Sequence, residues 1–347
     1  MQQKSNKAVG YWLLLGAFLV LAMVVIGGIT RLTHSGLSMV DWKPISGTLP
    51  PLNQEEWIAE FEHYKTSPEF QKINTHFELE DFKEIFFWEY FHRLIGRVIG
   101  LVFIFPFLYF LWKKQIQGLG LMRNLIIIFF LGGFQGFLGW YMVKSGLVKD
   151  PAVSHYRLAM HLSNAFLLVA YILWTSLKVF YPNWKVQKTS LRKGYFALLF
   201  ILTVQIVYGA FVAGLKAGLI FPTYPKMGGS WVPQNIATAF ENEGFISLIG
   251  NPVSVQFIHR WLAVLVVSAV AFIYFKGKKL KLNSFQKNAN NGVLIMVLLQ
   301  FALGVLTLIN MVPVSLGVLH QLGAAVLLCI VIIGIYFNSF TQKPVLT

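Results

Sequence analysis

The sequence predicts an all-α polytopic membrane protein, with eight transmembrane helices arranged as two four-helix bundles related by a pseudo-twofold axis. Three observations predict it. The 347 residues are 56% hydrophobic and only 12% charged, with a mean hydropathy of +0.61, the composition of a chain that lives in lipid. Eight apolar stretches of roughly 20 residues each are long enough to span a bilayer. The polar landmarks of the first half recur in the second half, in the same order.

The spans fall near residues 10–30, 85–112, 121–143, 155–180, 193–214, 254–276, 290–311 and 315–337. The first has no small-residue cleavage site, so it is expected to remain as a helix. Basic residues follow the even spans. Lys113, Lys114 and Arg123 follow the second, and Lys178, Lys185, Lys188, Arg192 and Lys193 the fourth. Lys276, Lys278, Lys279, Lys281 and Lys287 follow the sixth. All 14 acidic residues lie in the odd loops or at the outer ends of spans. The positive-inside rule then places both termini in the cytoplasm. The net charge of +15 therefore reflects topology and membrane lipid, not nucleic-acid binding. Cys329 is the sole cysteine, which excludes an intrachain disulfide and a thiolate metal site.

The first outer loop, residues 31–84, is the largest polar piece and carries most of the acids. Pro44, Pro50 and Pro51 make its start extended. Residues 53–64 read as a short helix capped by Asn53, with Glu55 and Glu56 in its first turn. The third outer loop, 213–252, is long and rich in Gly and Pro.

The repeat divides the chain into an N-terminal bundle, 1–190, and a C-terminal bundle, 191–347. Residues 27–51 match 209–233 without a gap, at an offset of 182 (209 − 27). His92 matches His259, Gln135-G-F-L-Gly139 matches Gln300-F-A-L-Gly304, and His161 matches His320. Each repeat has four spans, so both enter the membrane in the same sense, and the axis relating them runs along the membrane normal.

Two stretches carry the chemistry: E-Y-F-H-R from Glu89 to Arg93, and Q-F-I-H-R from Gln256 to Arg260. Ionisable residues inside a span are costly and point to function. Of the eight histidines, His34, His63, His76 and His155 lie in outer loops or at their edge and read as solvated surface. His92, His161, His259 and His320 each sit in an even span, on the order of 10 Å below the outer surface. They form two pairs, His92 with His161 and His259 with His320. A bare histidine pair is thin for zinc. It suits haem iron, which takes one axial histidine from each face and wants an apolar slot for its ring. One turn after the four histidines stand Gly96, Ala165, Ala263 and Ala324, small enough to leave room for a flat ring, although small residues also serve helix contact. Arg93 and Arg260 are placed either to bind propionates bidentately or to snorkel to the interface. Arg31 is a weaker candidate of the same kind. Glu89 breaks the symmetry, since Gln256 stands in its place. An acid beside one pair only suits a site that moves protons or stabilises developing charge. The structural reading of Glu89 is an ion pair with a nearby arginine.

Together, E-Y-F-H-R in span two, H-R-W in span six, the histidines of spans four and eight and the repeat resemble the haem A synthase family over nearly the whole chain. The resemblance implies oxidation of a ring methyl of haem O to the formyl of haem A, with a haem b bound in the C-terminal half. It implies that His259 and His320 ligate that haem, that His92 and His161 flank the substrate haem, and that Glu89 is the essential carboxylate. It also implies a haem O synthase and a terminal cytochrome oxidase as partners; a homo-oligomer stays open. Many bacterial members carry a cysteine pair in the first outer loop. This chain does not, and so resembles the cysteine-free branch that includes mitochondrial members. The start of the chain, running almost at once into span one, suits a bacterial plasma membrane. The competing readings are a quinone-linked dihaem b-type electron carrier without porphyrin chemistry, which Glu89 against Gln256 disfavours, and a haem transporter.

Overall fold

A computed structural model describes residues 7–42, 46–116, 119–182 and 189–339. Pro44, Lys185 and Lys188 lie outside the described residues. In chain order the α-helices are α1 (Lys7–Leu32), α2 (Gln54–Lys65), α3 (Pro68–Lys72), α4 (Leu79–Trp112), α5 (Leu119–Gly146) and α6 (His155–Phe180). They are followed by α7 (Leu191–Gly214), α8 (Asn235–Glu243), α9 (Ser247–Gly250), α10 (Pro252–Lys278), α11 (Ser284–Ile309) and α12 (Val314–Ser339). Eight of them are long and apolar enough to cross a membrane, and they coincide with the eight expected spans. The chain is a multi-pass membrane protein.

The helix starts carry local signals. Asn53 accepts the backbone N–H of Glu56 and caps α2 as expected. Asn251 caps α10 ahead of Pro252, whose missing N–H costs nothing in the first turn. Asn283 and Gln286 form a reciprocal capping box on α11, satisfying donors that would otherwise be orphaned. The difference from expectation is at α4, which begins six residues before the anticipated span. The Asp81 carboxylate accepts the N–H of Glu78 at 2.9 Å, and this cap lets the helix nucleate in the polar loop before it enters the apolar layer.

The helices form four hairpins, α1 with α4, α5 with α6, α7 with α10 and α11 with α12, each packed along its length. The halves meet where α1 packs on α12 and α6 on α7. These two contacts exchange under the repeat, as a twofold relation requires. One hydrophobic core runs through the junction, with Val24, Phe166 and Ala170 of the first repeat against Leu198, Leu202, Val331 and Ile332 of the second. Gln321 Nε2 donates to the Val24 carbonyl at 2.8 Å across this seam. The repeats are therefore not separately buried bodies. In the first outer loop, α2 and α3 close on the top of α4 through Phe61, Tyr64, Phe82 and Phe86, with Tyr64 and Phe82 stacked at 5.0 Å.

Candidate haem sites

Each of the four intramembrane histidines lies against a glycine on its hairpin partner. A methyl group added at Gly27 would meet the His92 ring at 2.9 Å, at Gly139 the His161 ring at 3.1 Å, at Gly209 the His259 ring at 3.2 Å, and at Gly304 the His320 ring at 2.8 Å. Real Cβ contacts are essentially never as short as those at Gly27 and Gly304 and seldom as short as those at Gly139 and Gly209, so glycine is what lets each imidazole approach the neighbouring helix so closely. One turn before three of these glycines stands a glutamine that reaches the same ring. Gln135 Nε2 is 3.3 Å from both nitrogens of His161. Gln205 Nε2 is 3.5 Å from His259 Nε2. Gln300 Nε2 is 3.1 Å from His320 Nδ1 and donates to the His320 carbonyl at 2.9 Å. At the first site the corresponding residue is Met23, and His92 Nδ1 is buried without a partner.

The repeat is thus fourfold at the level of the hairpin: Q-x-x-x-G, or M-x-x-x-G once, on one helix and histidine on the next. Sequence reasoning used Gln135, Gly139, Gln300 and Gly304 only as landmarks of repetition and missed their contact with the rings. The signal was the i, i+4 spacing, which puts the glutamine and the glycine on one helical face.

The structure brings the histidines together as the two expected pairs, with His92 and His161 within Coulomb range of one another and His259 and His320 likewise. Among the described residues no three His, Cys, Asp or Glu side chains converge, so the arrangement offers two ligands and not the three or four of a zinc site. The residues fit haem. Each site has a histidine pair, glycines that give the imidazoles room against the neighbouring helices, and buried polar atoms without partners, among them His92 Nδ1, His259 Nδ1, Gln205 Oε1, Gln300 Oε1 and Arg260 Nε. Buried orphans of this kind are costly, and a bound group with acidic substituents would give Arg260 Nε an acceptor.

Around Glu89 the repeat is broken. Glu89 is 3% exposed. Its Oε2 accepts from Ser38 Oγ at 2.8 Å and from the Met39 N–H at 2.9 Å, and its Oε1 accepts from Arg93 at 2.6 Å. The arginine pairing that the sequence left open is therefore present, because a residue four positions on lies over the same turn. Arg93 also donates to the carbonyls of Met39 and Asp41, both at 3.0 Å, and lies over the Trp42 ring. In the second repeat, Arg260 donates to the carbonyls of Phe221 and Thr223 at 2.8 and 2.6 Å. Phe221 and Thr223 are the offset-182 counterparts of Met39 and Asp41 (221 − 39, 223 − 41). Both arginines, read as meeting propionates or snorkelling to the interface, spend these Nη donors on the backbone of an outer loop, since loop carbonyls are near acceptors at that depth. They clamp a cover over each slot. Gln256, 2% exposed, donates to the Phe221 carbonyl at 3.2 Å, and its Oε1 is left without a partner. Ser38 itself has Ile220 as its counterpart (220 − 38). The acid and its hydroxyl donor are both absent from the second site.

The remaining histidines are not all surface groups. His34 and His76 are exposed, and His63 pairs with Asp41 at 3.6 Å. His155, expected to be solvated, instead binds the Ile249 carbonyl at 3.1 Å and packs on Gly214. The start of α6 is held against the cover of the second repeat, where a solvated side chain has no room.

The chain matches the model of the COX15-CtaA family, described as cytochrome oxidase assembly protein, over residues 10–332. It is 51% identical over 328 residues to a protein of Flavobacterium psychrophilum named "Heme A synthase", covering 94% of this chain and 96% of that relative. It is 43% identical over 325 residues to the "Heme A synthase" of Rhodospirillum centenum, covering 93% and 86%. To "Heme A synthase COX15" of Saccharomyces cerevisiae it is 41% identical over 376 residues, covering 98% and 76%.

Proposed function

The chain belongs to the COX15-CtaA family of cytochrome oxidase assembly proteins, and from that membership and the two histidine slots we propose that it is a haem A synthase. It oxidises a ring methyl of haem O to the formyl of haem A, a removal of four electrons. The substrate haem lies between His92 and His161. A resident haem b is held by His259 and His320, with Gly209 and Gly304 giving the two imidazoles room against the neighbouring helices and Gln205 and Gln300 within reach of the rings. Bound there, the b haem supplies one-electron chemistry.

The observation that carries the reading is the break in the repeat. Ser38, the Met39 N–H and Arg93 fix the Glu89 carboxylate one turn before His92, and nothing of the kind stands beside His259. Oε1 has a single donor and keeps a lone pair through which a proton leaving the substrate can pass. A carrier that only moves electrons has no use for this group. Both chain ends lie in the cytoplasm of a bacterial plasma membrane, so the slots open toward the outer half of the bilayer. A haem O synthase supplies the substrate, and a terminal oxidase receives the product.

Porphyrins extracted from protein purified from cells that make haem O test the reading. Haem b together with haem O and haem A is expected. Two haem b per chain and no haem A would overturn it in favour of the dihaem electron carrier.

A further inference from the structure

At the end of the second repeat that faces away from the outer loops lies a cavity that the histidine sites do not use. It has a volume of about 450 Å³ and opens between the start of α7 and the end of α10. Ser190, Arg192 and Lys193 line one side, and Phe272, Ile273 and Lys276 the other. Lys276 is 17 residues past His259 (276 − 259), or about 26 Å along the helix, so the cavity is remote from the histidines of its repeat.

Its lining is cationic and lacks an anion. Arg192 Nε is buried without a hydrogen-bond partner. The Arg192 guanidinium lies over the Phe196 ring at 5.5 Å and the Lys276 ammonium over the Phe272 ring at 5.8 Å. No Asp or Glu occurs in residues 113–123, 178–193 or 276–290, the loops on this side of the membrane. Ser190 precedes α7 without capping it through its side chain, so the positive end of that helix faces the same space. Phe196 and Phe272 are both exposed on helices that cross the membrane, and acyl chains therefore border the cavity. The first repeat has no such place. At the offsets that relate α1 to α7 and α4 to α10, Arg192, Lys193 and Lys276 correspond to Gly10, Tyr11 and Tyr109 (192 − 182, 193 − 182, 276 − 167). A methyl group at Gly10 would meet the Phe180 ring at 2.7 Å, so an aromatic ring of α6 fills that corner. The cations belong to one repeat and are not a by-product of the duplication.

We infer that this cavity binds the phosphate of an acidic phospholipid headgroup. A phosphodiester supplies the acceptor that Arg192 Nε lacks, and arginine suits phosphate oxygens in particular. Lys193 and Lys276 balance the remaining charge, and the lipid's acyl chains leave along Phe196 and Phe272. Basic pockets between membrane helices recognise headgroups in this way. A soluble phosphate offers the same oxygens but makes no use of the apolar edge. The bound lipid bridges α7 to α10, the hairpin that carries Gly209 and His259 at its other end. The site is independent of the haem A synthase reading; only its assignment to the cytoplasmic leaflet rests on the topology given above.

The test counts, by native mass spectrometry, the lipid that the full chain retains when released from nanodiscs of phosphatidylcholine doped with phosphatidylglycerol. The wild type is expected to retain phosphatidylglycerol over phosphatidylcholine. Arg192→Gln combined with Lys276→Gln should retain roughly tenfold less, the scale of losing two cations near an anionic headgroup. Lys279→Gln combined with Lys281→Gln removes charges of the neighbouring loop outside the cavity and should retain the wild-type amount. If the first double variant does not fold, Lys276→Glu alone, which leaves the start of α7 intact, carries the same expectation. Wild-type retention by a folded Arg192 and Lys276 variant would overturn the site. Equal losses in the two double variants would overturn it too, by assigning retention to the general charge of that face. Displacement of the lipid by inorganic phosphate as readily as by phosphatidylglycerol would replace a lipid site by one for a soluble phosphate. None of these outcomes depends on haem content, so a failure here leaves the synthase reading untouched.

Discussion

The first and second repeats hold their histidines alike and surround them differently. In both, an imidazole lies on a glycine of the neighbouring helix, and the arginine after it clamps an outer loop by two backbone carbonyls. What differs is the setting. The first repeat has Ser38 and Glu89, and its α4 and α5 scarcely touch. The second has Ile220 and Gln256, and its α10 and α11 pack against each other. One repeat thus carries a fixed carboxylate beside its histidine, and the other carries a neutral amide at the same place.

The sharpest way to break this comparison is to remove a ligand from each side in turn. His259→Ala is expected to abolish the low-spin b-type spectrum entirely, because no other imidazole of the second slot can replace it. His92→Ala is expected to leave that spectrum in place and to lower substrate-haem occupancy. A resident spectrum that survives His259→Ala and disappears with His92→Ala would reverse the assignment of the halves.

Next in size is the carboxylate. Glu89→Gln makes the first site resemble the second at nearly constant volume, and haem A formation is expected to fall about 10²-fold or more, the scale of losing a positioned acid or base. Substrate haem stays bound, since His92 and His161 remain. Ser38→Ala removes one of three donors to that carboxylate, and a hydrogen bond to a charged group contributes about 1.5–3 kcal/mol, so a loss of roughly tenfold or more is expected in turnover and not in substrate affinity. The converse change, Gln256→Glu, should spare turnover and shift the potential of the resident haem. Equal activity of Glu89→Gln and the wild type, measured as haem A formed, would make the acid structural.

How much of this the sequence could say depends on whether a feature lies within one helix or between two. Spans, caps and histidine positions are local, and hydropathy, Asn53 and the landmarks at His92, His161, His259 and His320 were enough to place them. The asymmetry of Glu89 and Gln256 was also legible, because alignment of the repeats puts the two in register. Of the partners of Glu89, an arginine was anticipated and the loop donors Ser38 and Met39 were not. Ser38 lies 51 residues away, and no helical period connects a loop hydroxyl to a carboxylate across an outer turn. The loop contacts of Arg93 were not legible for a related reason: only the path of the loop brings the carbonyls of Met39 and Asp41 to it. The sparse contact of α4 with α5, beside the exposed Gly132, Gly133 and Gly136, was not legible either, because glycines in a span more often mean close helix packing.

The smallest expected effect separates the two covers. Glu69 in α3 lies beneath the first cover, 6% exposed, and its carboxylate accepts the Tyr64 hydroxyl at 3.1 Å while Asn74 donates to that same oxygen of Tyr64 at 2.8 Å. Burial pushes the Glu69 carboxyl up from 4.5 to about 7; the Tyr64 hydrogen bond opposes this, and the negative charge of Glu89 adds to it. A carboxyl raised in the folded state binds its proton more tightly there than in the unfolded chain. The stability linked to it is therefore full below the ordinary carboxylate range and is lost as pH rises through about 7. In the second cover Glu241 and Glu243 are exposed. Protection of α2 and α3 against hydrogen exchange in detergent, after correction for the intrinsic pH dependence of exchange, is thus expected to fall between about pH 5 and pH 7, while that of α8 stays level. Glu69→Gln should flatten the profile of the first cover by keeping a neutral group against Tyr64. If both covers loosen together, or if Glu69→Gln leaves the profile unchanged, the pH response lies elsewhere, and the two covers differ in their packing and not in a buried charge.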